Sequence, residues 1–110
     1  MSVPKLFGVY TAQFPFLDNQ ETKIRPVIVV SKPQGRHKIL AVVPISSKNV
    51  LEAVDAFLHH WSDAGLIKPS VARVHRLMTM LQADLIAELG GLTQDDTEDL
   101  RTALRRLLNL

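Results

Sequence analysis

The run Pro26-Val27-Ile28-Val29-Val30-Ser31, the linker Lys32-Pro33-Gln34-Gly35-Arg36 and the run Lys38-Ile39-Leu40-Ala41-Val42-Val43-Pro44-Ile45 decide the fold. Both runs are apolar and rich in β-branched residues, the composition of buried strands, and the proline and glycine between them supply hairpin chemistry. A parallel crossover needs a dozen or more residues, so two runs this close pair antiparallel. Toward the amino terminus, residues 17–24 are mostly polar and carry turn formers, which reads as a loop. Residues 7–14 are aromatic and β-branched and end at Pro15, a third strand. Toward the carboxy terminus the signal is mixed. Residues 54–59 alternate as a short strand, residues 65–69 read as a turn, residues 70–74 and 85–89 interleave apolar and polar residues as further small strands, and Gly90-Gly91 marks a turn.

The last segment reads as a helix. Thr93 precedes Asp95, Asp96, Glu98 and Asp99; Leu100, Leu104, Leu107 and Leu108 recur at helical spacing; and Arg101, Arg105 and Arg106 crowd the end. A threonine cap and charges matched to the helix dipole each contribute about 0.3–1 kcal/mol. The expected architecture is one domain, residues 1–110, of mainly β (α+β) class: five to seven short strands closed by a C-terminal helix. The leucine stripe of that helix packs either on the strands or on a second copy of the chain.

Composition narrows the function. The 110 residues are 46% hydrophobic and 22% charged, ordinary globular usage that argues against a disordered chain. The longest apolar stretch, residues 39–45, is far short of the roughly 20 residues of a membrane span. Nothing near Met1 reads as an export signal, so no membrane association and a cytoplasmic address are the default expectations. The absence of cysteine removes disulfides, thiolate metal sites and cysteine nucleophiles together. The formal net charge of +2 hides an asymmetry: residues 23–76 hold nine basic side chains against three acidic ones, whereas the helical end is acidic. A locally positive surface on a modestly charged protein suits a polyanion groove.

Three segments within that basic region carry candidate chemistry. Arg25 stands between Ile24 and the apolar run opened by Pro26, where its fork of donors is placed to meet a phosphate; the competing reading is a barrel-rim arginine paired with a carboxylate such as Glu21. Ser46-Ser47-Lys48 brings two hydroxyls and an ammonium to the end of a strand, where rigid scaffolds present functional groups, although the tripeptide is also an ordinary turn. Lys68-Pro69-Ser70 with Arg73, His75 and Arg76 forms a third cluster. If residues 70–76 are extended, Arg73 and His75 share one face. The four histidines, His37, His59, His60 and His75, fall at no zinc-ligand spacing, and glycosidase carboxylate pairs, glycine-rich phosphate loops and nucleophile elbows are absent. No metal and no cofactor are expected.

Five motifs, in order and spacing, resemble the MazF/PemK toxins of type II toxin–antitoxin systems: Phe14-Pro15-Phe16; Lys23-Ile24-Arg25-Pro26-Val27-Ile28-Val29-Val30-Ser31; Val43-Pro44-Ile45-Ser46-Ser47; Gly65-Leu66-Ile67-Lys68-Pro69-Ser70-Val71-Ala72-Arg73; and Leu89-Gly90-Gly91-Leu92. The resemblance spans residues 7–110. It implies a small SH3-like antiparallel barrel with a C-terminal α-helix, of the CcdB/PemK/MazF-like kind, assembled as a homodimer. It further implies a metal-independent endoribonuclease, an mRNA interferase that cuts single-stranded RNA at short sequences and is neutralised by a cognate antitoxin with a flexible acidic segment. Carried over motif by motif, Arg25 and Ser46 take the catalytic positions, and Gln20, Lys23, Ser47, Lys48, Ser70, Arg73 and His75 take RNA-binding positions.

The chain departs from the family pattern at three places. Ser46 stands where relatives commonly have threonine, Gln20 where many have an acidic residue, and His75 where an aspartate or glutamate usually follows the Ser-Val-x-Arg segment. His75 serves either as a contact to a nucleobase or as an acid or base near neutral pH. Two other functions share the fold: a gyrase poison of the CcdB kind, which ends in a Trp-Gly-Ile type signature where this chain has Leu108-Asn109-Leu110, and a binding barrel without turnover.

Overall fold

The computed structural model describes residues 3–15, 22–48 and 51–110. Seven strands lie in chain order: β1 (Gly8–Pro15), β2 (Thr22–Val29), β3 (Ile39–Ser46), β4 (Ala56–Leu58), β5 (Ser70–Ala72), β6 (Met78–Leu81) and β7 (Leu85–Gly91); the helix α1 (Gln94–Leu108) follows. All pairings are antiparallel, in the order β4-β5-β3-β2-β1-β7, with β6 on β3 as well. The expected β2–β3 pair is present, with Val27 opposite Pro44 and Val29 opposite Val42. One edge of β3 takes two partners in succession: β6 along Ile39 to Val42, then β5 at Ile45 and Ser46.

The continuous apolar runs of β2 and β3 follow from cover on both faces. Val9, Ile28, Val43 and Ile45 face one cluster, which Leu58, Val74, Leu100 and Ala103 complete, so α1 packs on this side. Tyr10, Val27, Val29, Leu40 and Val42 face a second cluster. Met80 of β6 and Leu85 of β7 also belong to it although they sit on opposite flanks of the β3-β2-β1 sheet, and a 3-10 turn of only three residues, Gln82–Asp84, joins their strands. The sheet therefore curls into the expected barrel-like shape. No ladder joins β6 to β7 among the described residues, so closure is by side chains rather than by hydrogen bonds.

Three sequence expectations need correction. Gly90 and Gly91 end strand β7 instead of forming a turn. Gly90 is required by close approach: a Cβ there would lie 2.7 Å from the Ala64 carbonyl oxygen, because residues 59–69 cross the end of β7. At the crossing Gly65 holds φ +86, a left-handed value open to glycine, and its own Cβ would collide with the Leu89 carbonyl. Second, β5 stops at Ala72, and Val74–Arg76 is a 3-10 turn with Val74 buried in the core. Third, β2 begins at Thr22, so Arg25 lies within the strand rather than ahead of it.

The helix terminates as its sequence requires. The Thr93 side chain accepts from the Asp96 amide, and Asn109 takes the left-handed C-cap conformation with its amide on the Arg105 carbonyl. Asp96 has a task beyond the dipole. Fully buried, it accepts the amides of His59 (3.0 Å) and His60 (2.8 Å), which ties the segment after β4 to the start of α1. No helix of the described residues is long and apolar enough to cross a membrane.

Candidate nucleic-acid interface

The ladder between β2 and β3 ends at Val27 opposite Pro44. Beyond it β2 continues through Pro26 and Arg25 with β1 on one side only, Pro26 opposite Thr11 and Arg25 opposite Ala12. A proline is tolerated there because no β3 partner asks for its missing N–H. The gap left between β2 and the C-terminal end of β3 opens into a groove of about 600 Å³.

Three separate sequence clusters converge on this groove. Arg25 and Pro26 line it from β2, Ser46, Ser47 and Lys48 from the end of β3, and Ile67, Lys68, Ser70, Arg73, His75 and Arg76 from the segment around β5. Among the described residues, five basic side chains line it against one carboxylate, Glu52. The far wall is the stretch before β5, held in place by Asp96 on the His59 and His60 amides and by the glycine crossing at β7. Lys23 is exposed two residues from Arg25, on the same face of β2, but outside the groove lining. Gln20 lies outside the described residues, as does Glu21, the carboxylate considered as a partner for Arg25.

The hydroxyls differ in what they have left to offer. Ser46 Oγ accepts the Lys48 amide at 3.1 Å, a local turn that leaves its O–H available to donate. Ser70, buried, donates its proton to the Lys68 carbonyl at 2.8 Å and fixes the groove wall. Ser47 and Lys48 are exposed at the rim.

Beneath the groove lies a carboxylate that sequence reasoning passed over. Asp55, one residue before β4, has a side chain with 0% exposure, while the Arg73 and His75 side chains that hold it are 11% and 33% exposed. Its Oδ2 accepts Arg73 Nη1 at 3.0 Å and the Glu52 amide at 3.1 Å. Its Oδ1 accepts His75 Nδ1 at 2.7 Å and the His75 amide at 3.4 Å. The second arm of Arg73 donates to the Lys48 carbonyl at 3.0 Å, so one guanidinium ties the segment after β3 to the segment before β4. Arg73 and His75 thus share a partner, but not as an alternation along a strand. The bend at Arg73, whose amide reaches the Pro44 carbonyl at 2.8 Å, and the 3-10 turn after it bring both to Asp55. The available signal was charge: Asp55 is one of only three acids among nine basic residues in residues 23–76.

Burial works against the charge on Asp55, yet the hydrogen bonds from His75 and Arg73, joined by those from the Glu52 and His75 amides, outweigh it and hold the carboxyl below the usual carboxylate range. In the window just below about pH 4 the unfolded chain then binds the extra proton, so the stabilisation is present above that pH and lost as pH falls through the folded-state value. Asp55→Asn should lose about 1.5–3 kcal/mol at pH 7, as expected for charged hydrogen bonds. Its deficit in thermal melts against the parent should shrink as the pH is lowered toward 3. A deficit that stays constant with pH would mean that the charge on Asp55 contributes nothing.

Among the described residues no group of three or more His, Asp or Glu side chains converges as metal ligands. Residues 5–108 match the family model described as PemK-like, MazF-like toxin of type II toxin-antitoxin system. No curated protein matches the chain significantly. Among solved structures, the Mycobacterium tuberculosis toxin MazF-mt6 superposes with a TM-score of 0.73 at 23% identity, covering 94% of this chain and 97% of that one. A mycobacterial endoribonuclease in complex with its cognate antitoxin gives 0.76 at 20% identity, covering 97% and 96%. MazF from the MazE–MazF complex of Deinococcus radiodurans gives 0.76 at 18% identity, covering 100% and 99%. At these identities the likeness is one of fold.

Proposed function

From the premise that the chain belongs to the PemK-like, MazF-like toxin family of type II toxin–antitoxin systems, we propose that it is an endoribonuclease that cleaves single-stranded RNA without a metal, with Arg25 and Ser46 in the catalytic positions. The observation that carries this reading is the groove: an arginine from a stretch of β2 that pairs with β1 on one side and a serine at the end of β3 line one basic cleft. A cleft of this sign attracts a polyanion.

RNA contains its own nucleophile. When the 2′-oxygen bonds to the adjacent phosphorus, the P–O5′ bond breaks, leaving a 2′,3′-cyclic phosphate and a 5′-hydroxyl. Such a reaction asks an enzyme for charge neutralisation and proton transfer, not for an activated water. The Arg25 guanidinium supplies several donors to the non-bridging oxygens of the phosphorane, and Ser46 orients the phosphate through its O–H. Lys48, Lys68 and Arg76 hold flanking phosphates. The partner that silences the toxin is an antitoxin whose flexible acidic segment lies over the same basic groove, folding as it binds. The toxin acts as a homodimer in the cytoplasm.

The test is direct. Purified protein incubated with a long single-stranded transcript in excess EDTA should give fragments at a few recurring short sequences, with 5′-hydroxyl ends that accept phosphate from polynucleotide kinase without prior dephosphorylation. Intact RNA, or cleavage restored only by divalent metal, would reject the reading.

A further inference from the structure

Arg25 leaves the reaction one group short. A guanidinium is fully protonated near neutrality and does not take a proton from a ribose hydroxyl. The Ser46 hydroxyl is no stronger a base. Among the described residues, the groove lining holds two side chains of a type that can take a proton, Glu52 and His75. Glu52 is exposed and its side chain has no partner that orients it among the described contacts. His75 is held. A buried, ionised carboxylate only accepts, so the 2.7 Å contact puts the hydrogen of the neutral imidazole on Nδ1 and leaves Nε2 with the lone pair. Nδ1 is directed at buried Asp55, while the His75 side chain is one-third exposed and the residue lines the groove.

Resting on the nuclease reading above, we propose that His75 is the general base of the cleavage step and that Asp55 and Arg73 are its positioning residues. Nε2 takes the proton of the attacking 2′-hydroxyl as the 2′-oxygen bonds to phosphorus. The P–O5′ bond breaks, the 5′-oxygen takes a proton from solvent water, and the imidazolium returns its proton to solvent, so protons and bonds balance. Asp55 fixes the tautomer and the ring orientation and stabilises the imidazolium while it lasts, the role a buried carboxylate plays behind a catalytic histidine. Arg73 in turn holds the second carboxylate oxygen and prevents Asp55 from turning away. The charged groups around this histidine are Asp55 and Glu52 from the segment before β4, Lys48 from the end of β3, and Arg73 and Arg76 from its own segment. Arg25 and Lys68 line the same groove. This excess of positive charge keeps the bound phosphate near the base.

Single-turnover cleavage of a single-stranded transcript at its strongest site, followed from pH 5 to 9, tests the assignment. The wild-type rate should climb with pH through an ascending limb in the range where imidazoles change charge, about pH 5 to 8. His75→Gln should be slower by about 10²- to 10⁴-fold, the ordinary contribution of a general base, and should lose that limb. Binding of an unreactive 2′-deoxy oligonucleotide spanning the site, measured alongside, separates loss of affinity from loss of the proton-transfer step. His75→Ala should be partly rescued by added imidazole, and Asp55→Asn should shift the limb even where its melt shows a folded protein. A His75→Gln protein that cleaves at the wild-type rate, or that loses affinity but keeps the ascending limb, overturns the assignment and leaves the nuclease reading standing. Loss of the limb in Glu52→Gln instead also overturns it. Wild-type protein that does not cleave RNA at all overturns both.

Discussion

Arg25→Ala should slow RNA cleavage by about a hundred- to a thousandfold, the cost of removing one preorganised donor from a developing oxyanion, while the thermal melt stays close to that of the parent. The two halves of this expectation have separate physical origins. The side chain is exposed on β2, and its backbone pairing with Ala12 of β1 does not depend on the guanidinium, so truncation opens no cavity in the core. The charge, in contrast, matters most when the phosphorane carries more negative charge than the ground-state diester, which is differential binding of the transition state. Arg25→Lys should fall between, since an ammonium keeps the charge but not the planar fork. Single-turnover rates at saturating protein, paired with circular-dichroism melts, measure both halves. Undiminished cleavage by the alanine variant would remove Arg25 from the chemistry, and a collapsed melt would reveal a structural arginine instead.

What was legible in the sequence follows from the range of the forces involved. The β2–β3 pair was legible because it depends on two neighbouring apolar runs and the short linker between them. The helix was legible because caps and dipole charges act within one turn. Strand β6, Met78–Leu81, is not legible in the sequence, since methionine and leucine, which lack a branch at Cβ, carry a weak strand signal and its pairing with residues 39–42 of β3 is non-local. Gly90 carries a turn signal in the sequence, and only the tertiary approach of Ala64 shows why a side chain is excluded there. In the site, the clusters at residues 25, 46–48 and 68–76 were visible separately as basic or hydroxyl residues at strand ends, and their convergence follows from sheet order. Asp55 falls on a polar position of the short alternation at residues 54–59, a pattern that gives no sign of its burial. Its importance lies in two donors 18 and 20 residues downstream, a relation that residue types alone do not reveal.

The same geometry changes what Arg73 is expected to do. As a basic residue in the third cluster it takes an RNA-binding position by resemblance, yet its guanidinium lies largely buried with one arm on Asp55 and the other on the Lys48 carbonyl. Arg73→Ala should therefore cost about 3–5 kcal/mol, because a buried carboxylate loses its ionic partner and cannot regain the water it gave up. In a domain of this size that lowers the melting temperature by more than about 10 °C. A phosphate-reading arginine predicts the opposite pattern, an unchanged melt with weaker RNA binding and a smaller salt dependence. The double variant Arg73→Ala with Asp55→Asn separates the two further. If the pair is a buried ionic clamp, neutralising the stranded carboxylate should recover part of the loss, so the two changes together should cost clearly less than the sum of each alone. If Arg73 serves RNA and Asp55 serves only His75, the costs should add. Strong coupling would mean that the groove holds its histidine with an arginine that substrate need not touch.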